Sequence, residues 1–125
     1  MNQISAIHRI GLRDIIKIIH SSSKQAGWWD NTDPVNKETK ATKLALIHSE
    51  VSECLEGVRK DTMDNHLPTR KTEEVELADI AIRVFDYAGF YGFDLATAID
   101  EKLRYNAQRL DHKKESRAKK GGKAF

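Results

Sequence analysis

The sequence predicts an all-α fold, a small helix bundle that associates with copies of itself. Three observations predict it. Apolar residues recur at steps of three and four in four separate segments. No stretch alternates apolar and polar residues over four or more positions, so no strand is expected. The third helical segment is apolar on two sides, more than four short helices cover unaided, and a homo-oligomer would bury the remainder.

The first helix is expected over residues 4–20, where Ile4, Ile7, Leu12, Ile15, Ile16 and Ile19 keep near a 3.6-residue period and Ser21, Ser22 and Ser23 end it. Residues 24–40 read as a loop that collects Gly27, Trp28, Trp29, Asp30, Asn31, Asp33 and Pro34. Two adjacent tryptophans in a loop point to a pocket or an interface, because an exposed indole wastes a large apolar surface. The second helix is expected over 41–60, with Leu44, Ile47, Val51, Leu55 and Val58 as its apolar stripe. A connector follows, and Thr72 is the expected N-cap of a helix over 72–91, with Glu73 and Glu74 favouring its dipole. On that helix Val75, Ala78, Ile82 and Phe85 form one apolar face, and Leu77, Ile80, Val84 and Tyr87 the other. A charged stripe of Glu76, Asp79, Arg83 and Asp86 runs between them, and Gly89 and Gly92 are expected to break the helix. Asp94 caps a fourth helix over 94–110.

Composition narrows the function classes. At 125 residues the chain is one domain by length, with 39% apolar and 32% charged residues and a net charge of +2. The mean hydropathy is −0.60. The start lacks a basic segment followed by an apolar one, so no secretory leader is expected, and no run has membrane-spanning length. The expected location is the cytoplasm. A single cysteine, Cys54, excludes an internal disulfide and a cysteine-based zinc site. No G-x-x-x-x-G-K-[ST] occurs, which excludes a P-loop NTPase. Residues 111–125 carry six cations against two acids, a net +4 that leaves −2 on residues 1–110. The expected organisation is therefore a helical domain over 1–110 and a basic C-terminal tail over 111–125.

Two acidic pairs carry chemistry. Glu50 and Glu53 lie three apart on the second helix, and Glu76 and Asp79 three apart on the third. Each pair shares a helix side, and an antiparallel packing brings the pairs face to face. Such pairs are common on a highly charged chain as solvated faces. These flank apolar stripes, where acids need a partner or a job. Four acids together need a cation, and all-oxygen ligation suits Mg²⁺ or Mn²⁺. Arg83 and Lys43 are the competing partners, which would make a plain ion-pair network. On the fourth helix Lys102, Tyr105, Asn106 and Arg109 share a face suited to phosphate oxygens. His20 stands just before the tryptophan loop, where it either caps the helix or touches a base edge.

The run Leu46–Glu53 with its E-x-x-E, then Glu76-Leu77-Ala78-Asp79 after a 22-residue gap, resembles the MazG-like, all-α nucleoside triphosphate pyrophosphohydrolases. The similarity continues through Tyr91-Gly92-Phe93-Asp94 and Glu101-Lys102-Leu103 with Tyr105-Asn106 to Gly121-Gly122-Lys123, and the Gly27-Trp28-Trp29 loop is similar to that of small, often phage-borne members. The resemblance implies a four-to-five-helix bundle of that type. It also implies Mg²⁺-dependent cleavage of a (deoxy)nucleoside triphosphate to a monophosphate and pyrophosphate by attack of activated water at the α-phosphate. By resemblance Glu50, Glu53, Glu76 and Asp79 are the metal ligands, and Glu53, with Glu50 second, directs the water. Lys102, Asn106 and Arg109 match phosphate-holding positions. Arg83 stands where some relatives carry another group, and would alter phosphate or sugar contacts. Trp28, Trp29 and His20 would enclose the base, with dGTP, other deoxynucleotides and damaged nucleotides all open. Homodimers or homotetramers are implied, without a membrane. The rival reading is a non-catalytic helical oligomerisation module that binds nucleic acid through its basic tail. A net charge of +2 is small for that role.

Overall fold

The computed structural model describes residues 3–125. Five α-helices are found among them: α1 Ala6–Gln25, α2 Lys37–Lys60, α3 Thr72–Tyr91, α4 Leu95–Gln108 and a single turn, α5 Lys114–Arg117, with a 3₁₀ turn at Leu110–His112. The described residues contain no strand, only one isolated bridge between Met63 and Lys71. No described helix is long and apolar enough to cross a membrane. The chain forms two compact units, one of Asp14–Phe93 and one that joins the segment ending at Arg13 to Asp94–Phe125.

In the Asp14–Phe93 unit, α2 and α3 form an antiparallel hairpin. Cys54 Sγ meets the Glu73 carbonyl, Glu50 meets Arg83, and the Lys40 ammonium lies 4.4 Å from the Tyr91 ring centroid. Asn36 caps α2, its Oδ1 accepting from the amides of Glu38 at 2.8 Å and Thr39 at 3.2 Å. The helix therefore starts before the expected position 41, because Asn36 satisfies two orphan donors ahead of it. Asp61 ends α2 in the left-handed region at φ 48°. Residue 72 begins α3 as expected, but Thr72 is not the cap: Lys71 occupies that position without a side-chain bond, and the Thr72 hydroxyl pairs with Thr62 at 2.9 Å.

Two glycines set how closely the helices approach. A Cβ on Gly57 would stand 2.8 Å from Thr72 Cγ2, where the hairpin is tightest. A Cβ on Gly89 would stand 2.6 Å from His20 Cβ. Gly89 does not break α3; it stays helical and lets α1 lie against it. The helix ends at Gly92, at φ 68°, with its N–H bonded to the Ala88 carbonyl. Likewise Ser21, Ser22 and Ser23 do not end α1. Ser23 Oγ donates to Asp86 instead of competing for its own backbone, and the chain turns at Gly27, at φ 84°.

The apolar surface lies differently from its sequence pattern. The α2 stripe of Leu44, Val51, Leu55 and Val58 is exposed, at 46–60% for the four residues. The hairpin packs through a neighbouring face of α2, with Lys40, Glu50, Cys54 and Gly57 meeting α3. Nor does the chain bury α3 on two sides, since Leu77 is 55% and Ile82 46% exposed.

In the other unit, Arg9 reaches Asp100 at 2.9 Å, and Arg13 clasps Asp94 through Nε at 3.1 Å and Nη2 at 2.9 Å. Asp94 caps α4 as expected, accepting from the Thr97 amide at 3.2 Å. The Arg13 guanidinium and the two Thr97 donors hold the Asp94 carboxyl well below the usual range.

Gly89→Ala is expected to destabilise the protein by about 1–3 kcal/mol through overpacking against His20. Gly11→Ala, in α1 with nothing within 4 Å of its added Cβ, should stabilise it by up to about 1 kcal/mol. Urea denaturation of the two variants checks both signs.

Candidate metal and anion site

Glu50 from α2 and Glu76 and Asp79 from α3 bring carboxylate oxygens within 4.8 Å of one another. Antiparallel packing produces this. Glu50 sits midway along α2, and Glu76 and Asp79 occupy successive turns on the facing side of α3. Glu50 is buried to 8% exposure, while its helix neighbour Glu53 remains exposed. Three of the four acids therefore gather. Glu53 is felt there through its charge, which helps raise Glu76.

The electrostatics are those of crowded acids short of positive charge. Burial, a hydrogen bond shared with Glu50 and the charges of Glu53, Glu50 and Asp79 push the Glu76 carboxyl up to about 7. Asp79 is raised too, first by burial and then by Glu50, while Arg83 opposes the rise. Glu76 Oε2 is buried without a hydrogen-bond partner. Arg83 Nε donates to Glu50 Oε1 at 2.5 Å. The three carboxylates, with Glu76 Oε2 unpartnered, fit a hard divalent cation in ligand type. Lys43, the other expected counter-charge, turns away: its ammonium bonds the Trp28 carbonyl at 3.3 Å and lies 4.2 Å from the Trp29 ring centroid.

A cavity of about 770 Å³ opens beside the acids, lined by the polar Glu50, Asp79, Arg83 and Asp86 and by the apolar Ile18, Leu46, Ile82 and Tyr87. Trp28, Trp29 and Lys43 also line it. Trp28 is 71% exposed, whereas Trp29 is 7% exposed and stacks on Phe90 at 3.8 Å. With Phe90 on one face and the Lys43 ammonium over the ring, Trp29 is a fixed wall. Trp28 has the freer indole.

The sequence reading assigned no task to Asp86, yet it anchors this wall. Its carboxylate accepts from Trp29 Nε1 at 3.0 Å to each oxygen, from Ser23 Oγ at 2.8 Å and from His20 Nδ1 at 2.8 Å. An ionised carboxylate only accepts, so the shared proton belongs on His20 Nδ1. His20 thus stands with Asp86 and edge-on to Trp29, and is not among the cavity-lining side chains. The signal was present: Asp86 lies seven residues after Asp79, on the same helix side.

Lys102, Asn106 and Arg109 belong to the other unit. Lys102 lies 4.7 Å from the Tyr105 ring centroid, Arg109 is paired with Asp111, and Asn106 Oδ1 is buried without a partner. Comparison of the chain with family models, with curated proteins and with solved structures gives no match.

The raised Glu76 carboxyl sets a pH dependence. It binds its proton more tightly folded than unfolded, so its contribution is unpenalised below its ordinary value near 4.5 and stability falls as pH rises to about 7. In chelator, the wild-type melting temperature should drop between about pH 5 and pH 8, and Glu76→Gln should flatten that drop. An unchanged drop in the variant would contradict the assignment.

Proposed function

We infer that this chain is a cation-dependent nucleoside triphosphate pyrophosphohydrolase, as its resemblance to the MazG-like enzymes suggests. The single observation that carries the reading is the convergence of Glu50, Glu76 and Asp79 beside a cavity with an apolar, tryptophan-bearing wall. Lys43 and Glu50 are seven residues apart on α2, about 10 Å along the helix. That is the scale on which a nucleotide separates its base from its phosphates.

Glu50, Glu76 and Asp79 would hold Mg²⁺ or Mn²⁺, with Glu53 beside them. When bound, the cation supplies neutralisation of the carboxylates and phosphate oxygens and makes a nearby water more acidic. Glu53 is exposed and free to take the proton of the attacking water. Water oxygen bonds to the α-phosphorus, the bond from that phosphorus to the bridging oxygen breaks, and pyrophosphate leaves with the bonding pair. Arg83, on the cavity wall, meets the phosphates. Lys102, Asn106 and Arg109 are carried over from the resemblance as further phosphate ligands. Trp28 encloses the base while Asp86 holds Trp29 and His20 in place.

The exposed stripe of Leu44, Val51, Leu55 and Val58 supports a second copy of the chain as its cover, in a homodimer or homotetramer. Sedimentation should report a dimer or tetramer, and Val51→Asp with Leu55→Asp should shift it towards monomer. A monomeric wild type would remove this part of the reading.

A panel of deoxynucleoside triphosphates with Mg²⁺ tests the activity, with monophosphate and pyrophosphate scored separately. Those two products are expected, with turnover reduced by at least about 100-fold in Asp79→Asn at unchanged helicity. Diphosphate with orthophosphate would contradict the reaction. No turnover, with salt-sensitive DNA binding that ignores Mg²⁺ and is lost on deleting 111–125, would put the non-catalytic module in its place.

A further inference from the structure

Arg83 has two claims on it. Its Nε is bonded to Glu50 Oε1 at 2.5 Å, and it lines the same cavity as Glu50 and Asp79. The Glu50 side chain is only 10% exposed, so its charge requires a partner, and Arg83 supplies it. The Arg83 side chain is 39% exposed, and among the described residues its guanidinium makes no other hydrogen bond, which leaves its terminal N–H groups to the cavity. A divalent cation shared by Glu50, Glu76 and Asp79 would draw on the same Glu50 carboxylate that Arg83 neutralises. Two positive groups crowded on one buried carboxylate repel, so cation and guanidinium compete for Glu50.

We propose that Arg83 is a latch: it neutralises Glu50 in the cation-free site, is displaced when a cation takes Glu50, and then turns its planar fork to a phosphate of the incoming nucleotide. The inference rests on the proposed cation site and goes beyond it in assigning an order. The cation binds first, and its binding frees the guanidinium that grips the anion. A guanidinium matches phosphate with paired donors, so the freed side chain gains a partner in the same cavity. By linkage, the nucleotide then strengthens cation binding by the same factor as the cation strengthens nucleotide binding. With the cation absent, Glu50 holds the Nε edge of Arg83, and a triphosphate meets only the terminal N–H groups.

The test follows the Arg83 Nε–H signal by NMR in the full chain labelled with ¹⁵N-arginine, assigned by its loss in Arg83→Gln. Mg²⁺ alone is expected to move the signal to the position of solvated arginines, while the backbone amides of Glu50, Glu76 and Asp79 also shift. The α,β-imido analogue of dGTP, added next, should move it a second time. By calorimetry, Arg83→Gln should bind Mg²⁺ about tenfold tighter, and the analogue at saturating Mg²⁺ about tenfold weaker. An Arg83 signal that stays in place while the three amides respond to Mg²⁺ would overturn the latch and leave the cation site standing. Amides that ignore Mg²⁺ would remove the site and the latch with it.

Discussion

The crowding of three carboxylates between α2 and α3 governs the rest of this structure. Crowded acids repel, and two features ease the repulsion: the Glu76 carboxyl is raised, which favours its neutral form, and the guanidinium of Arg83 pairs with Glu50. A hairpin selected for stability alone would gain by replacing the group with apolar side chains of similar size. The group adjoins a cavity lined by Glu50, Asp79 and Arg83.

The hairpin brings those acids together with Glu50 buried and Glu76 and Asp79 half-buried. It packs through Gly57, Cys54, Glu50 and Lys40, not through the most apolar stripe of α2. Close approach at Gly57 compensates for the weak apolar burial on that side. The cost is an apolar stripe left facing outward. Asp86 then ties the loop, through Trp29, and α1, through Ser23 and His20, to the hairpin, so the Trp29 wall is held by hydrogen bonds to one carboxylate. The same unit thus offers a fixed wall at Trp29 and an adaptable one at Trp28.

Much of this was legible in the residues themselves. The span of α3 and the cap at Asp94 follow from local chemistry, and local rules hold where neighbours do not intervene. The acidic pairs were legible as pairs, because i and i+3 share a side on any helix. Their partition was not: Glu50 turns inward and Glu53 outward through the rotation of α2 about its axis, which tertiary packing sets. The α2 stripe misled for the same reason, since periodicity finds an apolar face without naming what covers it. Gly89 resembled a breaker because a lone glycine in a helix is also how His20 gains its room. Trp28 and Trp29 are chemically identical neighbours, told apart by contacts distant in sequence such as Asp86 and Phe90.

The central claim is that Glu50, Glu76 and Asp79 share one divalent cation. Electron paramagnetic resonance of Mn²⁺ titrated into the full chain at about pH 8, above the Glu76 value, tests it most directly. The account predicts loss of the free Mn²⁺ signal at stoichiometric addition, reversal by excess Mg²⁺, and a free signal restored in Asp79→Asn. A wild-type chain that leaves Mn²⁺ free, or an Asp79→Asn variant that binds it equally well, would contradict the account.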